Sequence, residues 1–272
     1  MSILKSVSEG LKLSVSFKRI IPYLIMNLVT FYILINFLGR VFRLATGSIG
    51  VMPFLLSLGI YIPIFIVIAL IDLWINGAMI DQAKYYKKRR TLVKSFEHST
   101  SRYLSLFCAT VIYTIIIGIV SSPPYIGWLL SLIFSLIFFF IYPAIIIDHK
   151  ACVDSFKQSW KAFKAFPLET FVTWILMIII GFIIVGVFSL PMVFYLLGNL
   201  VGTLQTIGTT FVNETMTSTM IRTEIMPNVA NSVRSPYFLP FFFIFCIGLA
   251  VQSIFSVGTQ ARLYTNLKKR EI

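Results

Sequence analysis

Asp72 ends an uncharged run that starts at Leu44, and Asn76 lies one helical turn further on. A carboxylate that deep in an apolar segment is costly unless it is paired, hydrated or protonated. With Asn76 it could carry a proton or bind a cation. The same residue could instead pair with a neighbouring lysine or sit as a polar satellite of the headgroup layer. Gly248, Gln252, Ser256 and Gln260 recur at steps of four and form one small-and-polar stripe. A stripe of this kind could line a solute path, and close helix packing with amides bonded across the interface writes the same pattern. Asn27, in another apolar run, could be its partner.

A second set of residues is basic. Lys84, Lys87, Lys88, Arg89 and Arg90 form one cluster, and Lys157, Lys161 and Lys164 line a short amphipathic stretch. Against a membrane, each such side chain gains about 1 kcal/mol from anionic lipid headgroups. Catalytic patterns are missing. His98 and His149 stand apart from any Cys or carboxylate spacing that suits a metal, and nothing resembles a phosphate loop or a serine nucleophile elbow. No enzymatic activity, metal or cofactor is expected.

The elements that position these residues follow from charge. The chain has 272 residues, 58% hydrophobic and 12% charged, about half the charged share of a soluble domain. Charges are absent from Ile20 to Gly39, Leu44 to Ile71, Tyr103 to Ile147, Thr170 to Asn213 and Ser235 to Ala261. A membrane helix needs about 20 apolar residues. Ser121-Ser122-Pro123-Pro124 divides the third run, and Pro191 ends the apolar part of the fourth. Six spans result, at 20–39, 54–76, 103–120, 125–147, 170–190 and 237–258. The segment 191–236 lies on the outer side.

The net charge of +13 could suggest nucleic acid, but its distribution argues for a membrane. With an even number of spans, nineteen of the 23 Lys and Arg fall on the side of the two termini. That asymmetry places the N- and C-termini in the cytoplasm. The first span has no small-residue cleavage site behind it and reads as an anchor in the cell membrane. Cys108, Cys152 and Cys246 are scattered, so no disulfide framework is expected.

The strings GAMIDQAKYYKKRR (77–90) and GTQARLYTNLKKR (258–270) repeat one another where two even-numbered spans meet the basic side. A second echo precedes each odd-numbered span: Ser6-Val7-x-x-Gly10, Ser95-Phe96-x-x-Ser99 and Ser155-Phe156-x-x-Ser159. These begin helices at 3–17, 91–101 and 150–166, with apolar residues on one face and lysines beside them. Such helices can lie in the membrane plane, or pack on the protein's own loops. The unit is an interfacial helix followed by a transmembrane hairpin, written three times. Parallel repeats of this kind relate by rotation about an axis near the membrane normal.

Asp148, Ser155, Ser159 and Trp160 in IIIDHKACVDSFKQSWKAFK (145–164) carry a resemblance. The stretch resembles one in prokaryotic six-span proteins that include the membrane domain attached to some glycerophosphodiester phosphodiesterases. The resemblance implies the six-span fold; the catalytic barrel of those fusion proteins has no counterpart in this chain. Gly198–Ile225 puts Leu200, Leu204, Ile207 and Phe211 on one helical face, as a surface helix or a re-entrant element would. Asn213-Glu214-Thr215 matches a glycosylation sequon.

The expected fold is all-α and polytopic: three hairpins, each preceded by a cytoplasmic interfacial helix. The expected role is membrane organisation or partner binding at that face. The bilayer and its anionic headgroups are partners, with a protein partner or a second copy as further candidates and nucleic acid excluded. The alternative is a small-solute or ion transporter built on Asp72 and the Gln252 stripe.

Overall fold

A computed structural model describes residues 2–45, 49–86, 90–210 and 235–270. Every regular element among the described residues is an α-helix. They are α1 (Ser2–Ser14), α2 (Phe17–Ala45), α3 (Val51–Lys84), α4 (Leu92–Ser121), α5 (Gly127–Ile137), α6 (Ile141–Asp148), α7 (Cys152–Ala165), α8 (Pro167–Thr210) and α9 (Phe238–Lys268). Six stretches are long and apolar enough to cross a bilayer: Phe17–Val41, Val51–Lys84, Leu92–Ser121, Gly127–Asp148, Pro167–Val201 and Phe238–Lys268. The chain is an all-α, multi-pass membrane protein. Uncharged runs become helices because hydrocarbon offers backbone N–H and C=O groups no other partners.

Three boundaries differ from the sequence reading. The amphipathic stretch 91–101 does not end before its span; α4 is one helix of 30 residues, because neither Pro nor Gly interrupts it before Gly118. Pro191 lies inside α8, which continues to Thr210. Pro22 and Pro63 are likewise internal to α2 and α3, as membrane helices tolerate. The fourth span, in contrast, is broken between α5 and α6 at Phe138–Phe140. Lys87, Lys88, Arg89 and Asn213 lie outside the described residues, as does most of the polar half of Gly198–Ile225.

Two compact units result. One comprises Met1–Tyr23, Val67–Ile183 and Ala250–Ile272; the other, Leu24–Ile66 and Ile184–Leu249. The second packs Phe238, Phe242 and Cys246 against Leu28, Phe31 and Tyr195, with Phe31 edge-on to the rings of Phe242 and Phe245. Gly248 lets α9 meet Phe188 of α8, whose side chain a Cβ at 248 would overlap. The first unit holds the basic clusters. Its core lies where α3, α6 and α9 end, around the fully buried Ala83, Ala144, Ala261, Ile145, Ile146 and Leu263. Alanine there lets three backbones approach closely.

Candidate functional site at the basic end

Each of the three small-residue pairs seats an amphipathic helix on the end of a different membrane helix. Gly10 of α1 lies against α9 so closely that a Cβ would overlap Thr259 Oγ1, and Asn266 Nδ2 donates to Ser6 Oγ (2.9 Å). Ser99 of α4 covers Gly77 of α3 and donates to Trp74 O (2.8 Å); Gln82 Nε2 donates to Ser95 Oγ (2.8 Å). Ser159 of α7 closes the break in the fourth span: its Oγ donates to Ile137 O (2.8 Å) and accepts from Phe140 N (3.0 Å). Two backbone groups freed by the α5–α6 break are thereby satisfied, as buried polar groups require. Ser6, Ser95, Ser99, Ser155 and Ser159 are all fully buried.

The ends of α3, α6 and α9 are tied to one another in a closed triangle. Arg262 of α9 donates to Ala83 O of α3 (3.4 Å). Lys84 of α3 donates to Ile147 O near the end of α6 (2.9 Å). Asp148 of α6 accepts from Tyr264 Oη and Lys268 Nζ of α9 (2.6 Å each). In two of the three links a cation meets carbonyls at a helix C-terminus, where the helix dipole favours it.

Two ion pairs are withdrawn from solvent here. Arg262 Nη2 lies 2.5 Å from Glu9 Oε2, both side chains being about nine-tenths buried. Asp81, fully buried, has Arg90 Nε at 2.9 Å and His98 Nε2 at 3.9 Å; His98 also contacts Ile146 O (3.2 Å). Breaking a buried pair from one side leaves an uncompensated charge, which is far costlier than the pair itself is stabilising.

The outward faces of the seated helices share a register. Leu4, Val93 and Val153 each stand two residues before the first small residue and are 73%, 67% and 59% exposed. On α1 the exposed stripe continues through Leu11, with Lys5 and Lys12 beside it, and Val15 just past the helix end is also exposed. On α7 the half-exposed Trp160 stands among the exposed Lys157, Lys161 and Lys164. Lys157 pairs with the exposed Asp154 on its own helix, at 3.6 Å.

Lys84 and Arg90, expected at lipid headgroups, are engaged inside the protein by Ile147 O and Asp81. The intramembrane candidates find separate partners. Asn76 Nδ2 donates to Asp72 Oδ2 (2.8 Å), and Tyr23 Oη donates to Asn76 Oδ1 (2.6 Å). Asn27 Nδ2 donates to Cys246 O (3.3 Å). Gln252 donates to Ser256 on its own helix (3.2 Å) and lies against Gly181, while Gln260 bonds Phe139 O. Asp81 and Glu9 were not marked by sequence reasoning. The alignment of DQAK with TQAR was the available signal for Asp81, since it sets a carboxylate where the other string has Thr259.

Among the described residues no group of three or more His, Cys, Asp or Glu side chains could hold a metal ion. Burial and the neighbouring Cys108 push the Cys152 thiol up to about 11, so it stays protonated near neutrality and is a poor nucleophile. His149 ends α6 in the left-handed conformation (φ 56°), its ring 5.1 Å from that of His98. Burial lowers its pKa, with Lys84, Arg102 and His98 acting in the same direction and Asp148 opposing. A depressed histidine contributes stability above its unfolded value of about 6.5, lost as pH falls through the folded value. His149→Asn keeps a residue tolerant of positive φ. Its thermal unfolding temperature should therefore fall less between pH 7 and pH 5 than that of the parent protein.

Six helices long and apolar enough to span a bilayer, with a polar, ion-paired assembly at one end, define a polytopic membrane protein. No protein-family model matches the chain, and neither any curated protein nor any solved structure is significantly similar to it.

Proposed function

We propose that this protein is a non-enzymatic module of the cell membrane that organises anionic lipid, or a partner bound there, through the helices at its basic end. The observation that supports this reading is the shared register of Leu4, Val93 and Val153 around seats that bury five serines. Each helix is fixed to the protein by its small residues and turns aliphatic side chains away from it. Exposed aliphatic groups beside lysines suit the boundary between acyl chains and headgroups. The proposal includes cytoplasmic termini, as the charge asymmetry favours, and descent of the three units from one duplicated hairpin. Kinship with the six-span phosphodiesterase-associated modules belongs to the same proposal.

Replacing Lys157, Lys161 and Lys164 together by Gln tests it. Each lysine contributes about 1 kcal/mol against an anionic surface. Spin-labelled phosphatidylglycerol around the reconstituted protein should lose at least about threefold of its preference over phosphatidylcholine. An unchanged preference, with the fold intact by thermal unfolding, contradicts the lipid role. Stoichiometric copurification of a partner that the triple variant no longer retains would instead assign these lysines to protein contact.

A further inference from the structure

The chain Tyr23–Asn76–Asp72 runs through the first unit away from the basic end. Asp72 Oδ2 accepts from Asn76 (2.8 Å) and Asn76 accepts from Tyr23 (2.6 Å), whose side chain is almost fully buried. One turn of α2 nearer the basic end, Arg19 Nη2 reaches Gln82 Oε1 (3.4 Å). Gln82 Nε2 in turn donates to Arg90 O (3.0 Å), Thr91 O (3.2 Å) and Ser95 Oγ. Two hydrogen-bonded sets of polar groups, one turn of α2 apart at Arg19 and Tyr23, thus lie between the loop at Arg90 and Asp72, which is about 15 Å along α3 from Gln82.

Among the described residues Asp72 forms no ion pair. Its titratable neighbours are tyrosines. Tyr23 stands on α2 and Tyr142 of α6 is within electrostatic range, while Tyr103 of α4 donates to Leu70 O, two residues before Asp72 and on another face of α3 (3.0 Å). An intramembrane carboxylate without a counter-cation is neutralised most cheaply by a proton.

We infer that Asp72 is a proton-binding site within the membrane, reached from the basic end alone along Arg19, Gln82, Tyr23 and Asn76. The amide makes the relay reversible. With Asp72 ionised, Tyr23 O–H donates to Asn76 Oδ1 and Asn76 Nδ2 donates to Asp72. When Oδ2 takes a proton it becomes the donor; the amide turns over, Oδ1 accepts from Asp72, and Nδ2 donates to Tyr23 Oη. One proton from water at the basic end is gained, the only covalent bond made is the O–H on Asp72, and the Tyr23 O–H gives up Asn76 Oδ1 as its acceptor. Arg19 and Gln82 keep the entrance polar, and Arg19 itself remains charged throughout. The inference is independent of the surface role proposed above.

The test uses dicyclohexylcarbodiimide on the full chain in vesicles sorted so that the basic end faces outward. A protonated carboxyl adds its O–H across the carbodiimide, and the O-acylisourea rearranges to a stable N-acylurea with nothing lost. The adduct should form on Asp72 and vanish in Asp72→Asn. Its rate should fall at least tenfold when outer pH rises from 6 to 10 with the lumen held at 7, and stay constant when only the lumen is varied. Tyr23→Phe should weaken the response to outer pH while leaving thermal unfolding close to that of the parent. No adduct on Asp72, a rate that ignores both compartments, or a rate that follows the lumen overturns the inference.

Discussion

Arg262→Leu should lower the free energy of unfolding by about 3–5 kcal/mol, the usual consequence of stranding one member of a buried ion pair. Arg262 and Glu9 are each almost fully buried in a 2.5 Å contact. Removing the guanidinium leaves the Glu9 carboxylate without a counter-charge and Ala83 O without one of its donors. The double variant Glu9→Leu/Arg262→Leu removes both charges and should recover most of the loss, because apolar groups of similar volume can replace such a pair at little net cost. The cycle is read by reversible unfolding in mixed micelles. Additive losses would mean that Glu9 and Arg262 do not share an environment, and that α1 is not held on α9 as described.

Gly10→Leu should be the most damaging change to the seating of α1. Already a Cβ at this position overlaps Thr259 Oγ1 and stands 3.0 Å from the Thr259 backbone nitrogen. Backbone cannot be displaced as a flexible side-chain tip can, so α1 must lift away from α9. Overpacking of this kind costs about 1–3 kcal/mol and occasionally more, and here it also opens the Glu9–Arg262 and Ser6–Asn266 contacts. Amide exchange over 2–14 should accelerate by at least tenfold, while exchange in α4 remains slow. Gly10→Ala with Thr259→Ala should restore part of the protection, since the overlapping hydroxyl is gone. Unaltered exchange in Gly10→Leu would show that α1 has no seat at Thr259.

Much of this architecture was legible in the sequence for a simple reason. Uncharged runs of about 20 residues have few alternatives to membrane helices, and the six stretches fall where the charges are absent. Register was visible too, because the spacing from Ser6 to Gly10, Ser95 to Ser99 and Ser155 to Ser159 puts both members on one helix face. What those faces touch was not legible. Glu9 and Arg262 are separated by nearly the whole chain, and only the fold brings them together. Ser159 illustrates the same limit: it reads as a small residue in a motif, yet its hydroxyl completes the broken backbone between α5 and α6. Lys84 and Arg90 look like any interfacial cations until Ile147 O and Asp81 are found beside them. The helix ends misled where sequence signals are weak, as at Pro191, which a membrane helix accommodates.

Spin labels at Leu4, Val93 and Val153, introduced singly as cysteine conjugates in a background lacking Cys108, Cys152 and Cys246, test the central claim most directly. Their collision rates with oxygen and with a water-soluble nickel chelate give the depth of each label in vesicles containing anionic lipid. The expected result is one common depth for all three, about 5–10 Å below the headgroups. Labels that sit in water, or at three unrelated depths, would contradict the placing of α1, the start of α4 and α7 at one membrane boundary.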